Sequence, residues 1–148
     1  MKGRGSGVLL HLTSLPSPFG VGDMGAWAYK FVDFLAETKQ SFWQILPLNP
    51  TNLGHGSSPY HSTSAFASNP LLISPQLLIQ DGLIEEGDLS HLAEFSKAPV
   101  DYHKATFLKE KLFHLAFERF KGRKETHDYE EFCAQNALWL DDYALFMA

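Results

Sequence analysis

Cysteine is almost absent. Cys133 is the only one in 148 residues, so no intrachain disulfide can form, which fits a reducing compartment. Long apolar runs are missing too. No window approaches the ~18 residues of a membrane span, and Val8, Leu9, Leu10 and Leu12 make too short a patch for a signal-peptide core. These absences describe a soluble, cytoplasmic chain without a membrane partner. Basic charge is outnumbered, 12 Lys and Arg against 17 Asp and Glu for a net −5, which disfavours nucleic acid as a partner. The seven histidines (His11, His55, His61, His91, His103, His114 and His127) show neither H-x-x-x-H nor H-E-x-x-H spacing, and with one cysteine a structural zinc site is not expected. No G-x-S-x-G elbow and no Walker A sequence occur. No two carboxylates stand at the ends of two expected strands, as glycoside chemistry needs. The spacing therefore provides a binding surface and no complete catalytic set.

What is present is a core-forming composition, 45% apolar and 14% aromatic. Gly7 to Leu12 reads as a first strand, followed by an irregular Leu15-Pro16-Ser17-Pro18 segment. A helix comes next, with Asp23 as its expected N-cap. Trp27, Phe31, Phe34, Leu35 and Thr38 form its apolar face, away from Lys30, Asp33 and Glu37. A second buried strand spans 42–48. Strand, helix, strand makes a right-handed βαβ unit, and hence a parallel sheet. Gly20-Val21-Gly22-Asp23-Met24-Gly25 is a literal G-x-G-x-x-G. Seven residues separate it from the strand, Asp23 puts a carboxylate where phosphate would sit, and no acid follows the second strand. The glycines are expected to shape a loop and helix entry rather than hold a nucleotide.

Ser41 to Ile73 is the organising stretch. The apolar run Phe42 to Leu48 delivers some twenty residues rich in Asn, Gly, Ser, Thr and Pro, among which stand His55, Tyr60 and His61. A buried strand feeding a polar loop with rings in it suits a sugar or cofactor site.

Beyond it, Ser74-Pro75 opens a short helix stopped by Asp81-Gly82, and Asp88 to Phe95 is expected to form another. A longer helix covers Lys104 to Phe120. Leu108, Leu112 and Leu115 lie inward, and Lys109, Glu110, Lys111, Glu118, Arg119 and Lys121 form a solvated face. Glu85-Glu86-Gly87-Asp88 reads as a solvated run. After a polar break, Asp128-x-x-Glu131 reads as a capping box for one helix from Tyr129 through Met147. Cys133, Ala137, Leu140 and Ala144 share its inner stripe, so the thiol is expected to be a core residue. The last turn carries no stop signal, and two parallel strands cannot cover a sheet's faces alone. The expectation is an α/β fragment, an incomplete (β/α)8 TIM barrel. Residues 1–73 would supply its first two strands, their helix and the substrate loop, and residues 74–148 a mainly helical insertion.

Three segments carry a more specific signal: GVLLHLTSLPSPFGVGDMG, FWQILPLNPT and GSSPYHSTSAFASNPLLI. They closely resemble the N-terminal region of the 4-α-glucanotransferases (amylomaltase or disproportionating enzyme, glycoside hydrolase family 77), and WLDDYALFMA resembles a helix of the same family. The resemblance implies an enzyme that moves α-1,4-glucan segments between maltooligosaccharides, or onto glucose, without a cofactor. It implies a retaining mechanism. An Asp attacks the anomeric carbon, a Glu protonates the leaving oxygen, and a sugar hydroxyl resolves the glycosyl-enzyme. These carboxylates belong to later strands of the family's barrel, so no acid of this chain takes their roles. Ser58-Pro59-Tyr60 matches the family's S-P-Y. Tyr60 is thereby implied as a platform under the donor sugar, with Ser58 as a hydrogen-bonding partner. Asn69-Pro70 is implied to fix the loop's exit, and His11 to support the pocket floor. The chain departs from the family pattern at Thr51 to Ser57. The alternative reading is a non-catalytic glucan-binding or interaction module using the same loop.

Overall fold

A computed structural model of the chain describes residues 4–89, 99–124 and 126–148. Two short strands, β1 (Gly7–Leu9) and β2 (Phe42–Gln44), pair in parallel with Val8 opposite Trp43. One more bond, Leu10 N to Gln44 O at 3.0 Å, extends the ladder. Between them runs α1 (Ala26–Glu37). The βαβ unit and its parallel pairing are therefore as the periodicity predicts, and the chain is an α/β protein. The strands are shorter than expected because the backbone leaves the ladder early. Leu12–Ser14 forms a 3₁₀ turn, and residues 45–48 carry no regular element.

Burial departs from the expectation in one consistent way. Leu9 is 59% exposed and Phe42 65%, so the strands are not buried on both faces. On α1 the buried residues are Ala28 and Leu35, while Trp27 and Phe34 of the expected apolar face lie open. The cause is geometric, since a sheet of two strands offers the helix one narrow contact. What α1 and the strands do bury is Leu12, Leu15, Ala28 and Leu72, with Phe31 and Trp43 packed against them and meeting each other edge to face at 4.9 Å.

The ends of α1 are built differently from the sequence-based expectation. Gly25, not Asp23, occupies the N-cap position, and the Asp23 carboxylate accepts from Gly25 N at 2.9 Å. Gly22 is required by contact, since a Cβ there would meet Leu12 O at 2.1 Å. At the other end Lys39 adopts φ 57°, with Lys39 N bonded to Ala36 O and Gln40 N to Leu35 O. This is a Schellman ending made without glycine.

The rest is helical. α2 (Pro75–Gln80) starts at Ser74 with proline at its first position and ends before Gly82, whose φ is 65°. Glu86–Leu89 is a single 3₁₀ turn, and the remainder of the helix expected over Asp88 to Phe95 lies outside the described residues. α3 (Tyr102–Lys121) begins two residues earlier than predicted because Asp101 caps it, accepting from Lys104 N at 3.0 Å. The expected single helix over 129–147 is two, α4 (His127–Asn136) and α5 (Leu140–Met147). Asn136 causes the break: its amide donates to Phe132 O, and its Oδ1 and backbone O accept the two N–H groups of Trp139. The expected capping box is replaced by Thr126 Oγ1 donating to Glu130 at 2.8 Å. Neither helix contains a buried residue, so Cys133 is half-exposed rather than core. An apolar stripe is buried only where another layer faces it. No described helix is long and apolar enough to cross a membrane.

α3 is the element that corrects the solvated-face assignment. Its buried stripe is Ala105, Lys109, Leu112 and Ala116, spaced four, three and four apart. Lys109 is 0% exposed, and its Nζ donates to Asp23 Oδ2 at 3.2 Å, Leu71 O at 2.6 Å and Ile73 O at 2.9 Å. Burial pushes the ammonium pKa below its ordinary value, and the Asp23 charge and hydrogen bond oppose that shift. Around this group Ala105 packs with Val21 and Leu71, while Leu112 and Ala116 pack with Ile84. Arg119 also leaves the solvated face, pairing with Asp88 at 2.7 Å. Lys109→Met alone strands a buried carboxylate, and the expected cost is about 3–5 kcal/mol, read from urea unfolding. A loss below about 1 kcal/mol contradicts this assignment.

Candidate functional site

Past Gln44 the chain runs into a loop that returns at Asn69. Its base is tied by one side chain. Asn69 is 5% exposed, its Oδ1 accepts from Leu71 N at 3.0 Å, and its Nδ2 donates to Thr51 Oγ1 at 3.2 Å. Its own backbone N bonds Leu48 O at 2.7 Å, so entry and exit are held together, and Asn69-Pro70 does fix the exit. Asn49 Nδ2 adds a second tie to Ser64 O at 2.9 Å.

Inside that base the loop is a series of tight turns. Asn52 Oδ1 accepts from Gly54 N at 2.7 Å, and Asn52 O accepts from both His55 N and Ser57 N. Gly56 and Ser57 follow with φ of 65° and 55°, two left-handed residues in a row, the second carrying a side chain and buried. The turn Ser58-Pro59-Tyr60-His61 closes through His61 N to Ser58 O at 3.1 Å, with proline preset at its second position. Ser58 Oγ accepts from Tyr60 N at 3.4 Å, a long bond that leaves the hydroxyl proton free to turn outward. His55 and His61 stack at 5.1 Å with planes 14° apart and bridge the arms on either side of the turn. Tyr60 at the tip is 71% exposed. The fold thus brings Ser58, Tyr60 and the two histidines into one turn, with the tyrosine ring presented to solvent.

Behind the loop lies an apolar cleft of about 460 Å³ between Pro50, Leu53, Pro70, Phe113, Phe117 and Tyr143. Tyr60 does not line it. His11, two residues past β1, is half-buried; its Nδ1 is enclosed and has no hydrogen-bond partner among the described residues. Desolvation pushes its pKa below the usual 6.5. No group of three metal-binding side chains occurs among the described residues.

Lys109 is the residue that sequence reasoning missed. Lys109 lies four residues after Ala105 and three before Leu112, on the face that α3 buries, but nothing near it in sequence marks the partners that hold it there.

A family model described as 4-alpha-glucanotransferase, glycoside hydrolase family 77, matches residues 10–148. A 4-alpha-glucanotransferase of Synechocystis sp. is 47% identical, over 98% of this chain and 29% of that protein. One from Aquifex aeolicus is 48% identical over the same shares. Among solved structures, an amylomaltase from Streptococcus agalactiae in complex with acarbose superposes with TM-score 0.89 and 42% identity, over 99% of this chain and 29% of that one. The chain therefore spans 29% of the length of these relatives.

A pH dependence follows from His11. The unfolded chain binds a proton near pH 6.5 that the folded chain resists, so stability is complete above that pH and declines as pH falls through the window just below it. In urea titrations His11→Gln is expected to flatten that part of the stability profile. An unchanged slope counts against the burial of this imidazole.

Proposed function

For a chain that belongs to the 4-alpha-glucanotransferase family, glycoside hydrolase family 77, we propose that it supplies the N-terminal part of an enzyme moving α-1,4-glucan segments between maltooligosaccharides or onto glucose. The β1–α1–β2 unit would then be the start of a (β/α)8 barrel, covering residues 1–73, with 74–148 as a mainly helical insertion. Exposed Leu9, Phe42, Trp27 and Phe34 support this reading, because further strands and helices would cover them.

The observation that carries the site is Tyr60, an open aromatic face at the tip of a loop whose base is cross-linked by Asn69. Stacked on the C–H face of a donor glucose, the ring would remove apolar sugar surface from water and leave its hydroxyl free to hydrogen bond. Ser58, whose Oγ accepts from Tyr60 N, would donate its hydroxyl proton to a sugar oxygen. The half-buried His11 with its free Nδ1 is suited to line the floor of the same pocket.

Double displacement with retention needs two carboxylates about 5–5.5 Å apart across the scissile bond. Asp23 is unsuited to either role, since its oxygens are engaged by Gly25 N and by Lys109. The nucleophilic Asp and the acid Glu would come from other parts of the enzyme, and this chain's task is to bind and orient the donor.

The test is transfer by the full-length enzyme, read as glucose and longer oligosaccharides formed from maltotriose. Tyr60→Ala is expected to lower kcat/KM at least about tenfold, the equivalent of ~1.4 kcal/mol, with an unchanged far-ultraviolet spectrum. Transfer within twofold of the parent removes Tyr60 from the site. No transfer by the parent enzyme overturns the proposed function and leaves a binding module.

A further inference from the structure

The buried lysine has a reach that a core ion pair does not need. A fully buried ammonium has three protons to satisfy, and one carboxylate with local helix carbonyls would suffice. Lys109 instead spends two of its three donors on Leu71 O and Ile73 O, the backbone just past Asn69 where the Tyr60 loop ends. Its third partner, Asp23, stands at the entry of α1, and the neighbouring Met24 N bonds Leu72 O at 2.9 Å. Four backbone groups within residues 71–73 are thus committed: Leu71 N to Asn69, Leu71 O to Lys109, Leu72 O to Met24, and Ile73 O to Lys109. Asn69 passes this restraint to the loop entry through Thr51 and Leu48. The loop's other ties are Asn49 Nδ2 to Ser64 O, the His55–His61 stack and Phe66 against Trp139 at 5.9 Å, and none of these grips the exit backbone at 71–73.

We propose that Lys109 is a positioning residue for glucan transfer, clasping the exit of the 49–69 loop so that Tyr60 is presented in one place to the donor sugar. The proposal rests on the function proposed for Tyr60 and adds the group that fixes where Tyr60 stands. The chemistry is pre-organisation. A loop whose base is already fixed loses little freedom when a sugar binds at its tip, so the clasp acts on donor binding more than on bond cleavage. Releasing the clasp raises KM for the donor, with a smaller change in kcat.

The variant must release the carbonyls without stranding a charge. Lys109→Met/Asp23→Asn does this, because asparagine keeps the acceptor that Gly25 N uses and no buried carboxylate is left unpaired. Where that pair fails to fold, Lys109→Gln/Asp23→Asn, likewise without a buried charge and able to donate to one carbonyl, takes its place. The experiment measures kcat and KM for maltotriose in the full-length enzyme, in the parent and in the Tyr60→Ala background, with thermal midpoints for each. The expected result is a fall in kcat/KM of about tenfold in the parent, carried by KM, and of less than twofold once Tyr60 is gone. Equal falls in both backgrounds mean that Lys109 serves stability alone, and overturn the proposal. An unchanged kcat/KM in the parent background overturns it too. Absence of transfer by the unsubstituted enzyme is a separate result, and it strikes the function proposed for the chain rather than the clasp.

Discussion

The structure depends on one fully buried ammonium. Lys109 has no exposed surface, and all three of its protons are directed at oxygens. An unpaired charge at this depth is prohibitively costly, so the three partners must arrive together or not at all. Those partners come from the entry of α1 and from the chain just past the 49–69 loop, and the lysine brings α3 to both. One side chain therefore decides how residues nearly ninety positions apart meet. Ala105 and Ala116 on either side of it keep the helix close enough for its Nζ to reach.

From this follows a loop with a fixed base and a free tip. At the base, Asn69 turns the restraint into a link between both arms. At the tip, stacked histidines and a proline turn hold a tyrosine whose ring has no partner among the described residues' aromatic contacts. On the proposed function the division is useful. The sugar meets an aromatic face already in position, and the cost of ordering the loop has been met in folding. The exposed apolar residues on β1, β2 and α1 belong to the same picture, as faces suited to further layers of a barrel.

Local features of this fold were legible in the sequence. The βαβ unit, its parallel pairing and the Ser74-Pro75 helix start each follow from simple periodicity or from signals between near neighbours. The loop stood out by its composition, and the resemblance added the Asn69-Pro70 exit, whose ties the structure shows, together with the roles proposed for Tyr60 and Ser58. What could not be read depended on partners distant in sequence. Lys109 looked solvated because lysine usually is, and only Asp23, 86 residues away, explains its burial. Asp23 looked like a cap for the same reason. The break at Asn136 turns on a side chain that competes for the backbone of its own helix. Lys39 ends α1 in a conformation that sequence patterns reserve for glycine. The faces of α1 and of the strands were misjudged because amphipathic periodicity marks what is able to be buried, and burial itself needs a facing layer.

The most direct measurement is a crystal structure of the full-length enzyme with a maltooligosaccharide bound. The expected result shows a glucose ring stacked within about 4 Å of the Tyr60 face, with Lys109 Nζ still bonded to Leu71 O and Ile73 O. A glucan bound at the catalytic carboxylates with Tyr60 turned away from it, or with the Lys109 bonds broken while Tyr60 stays in place, contradicts the link drawn between buried clasp and exposed ring.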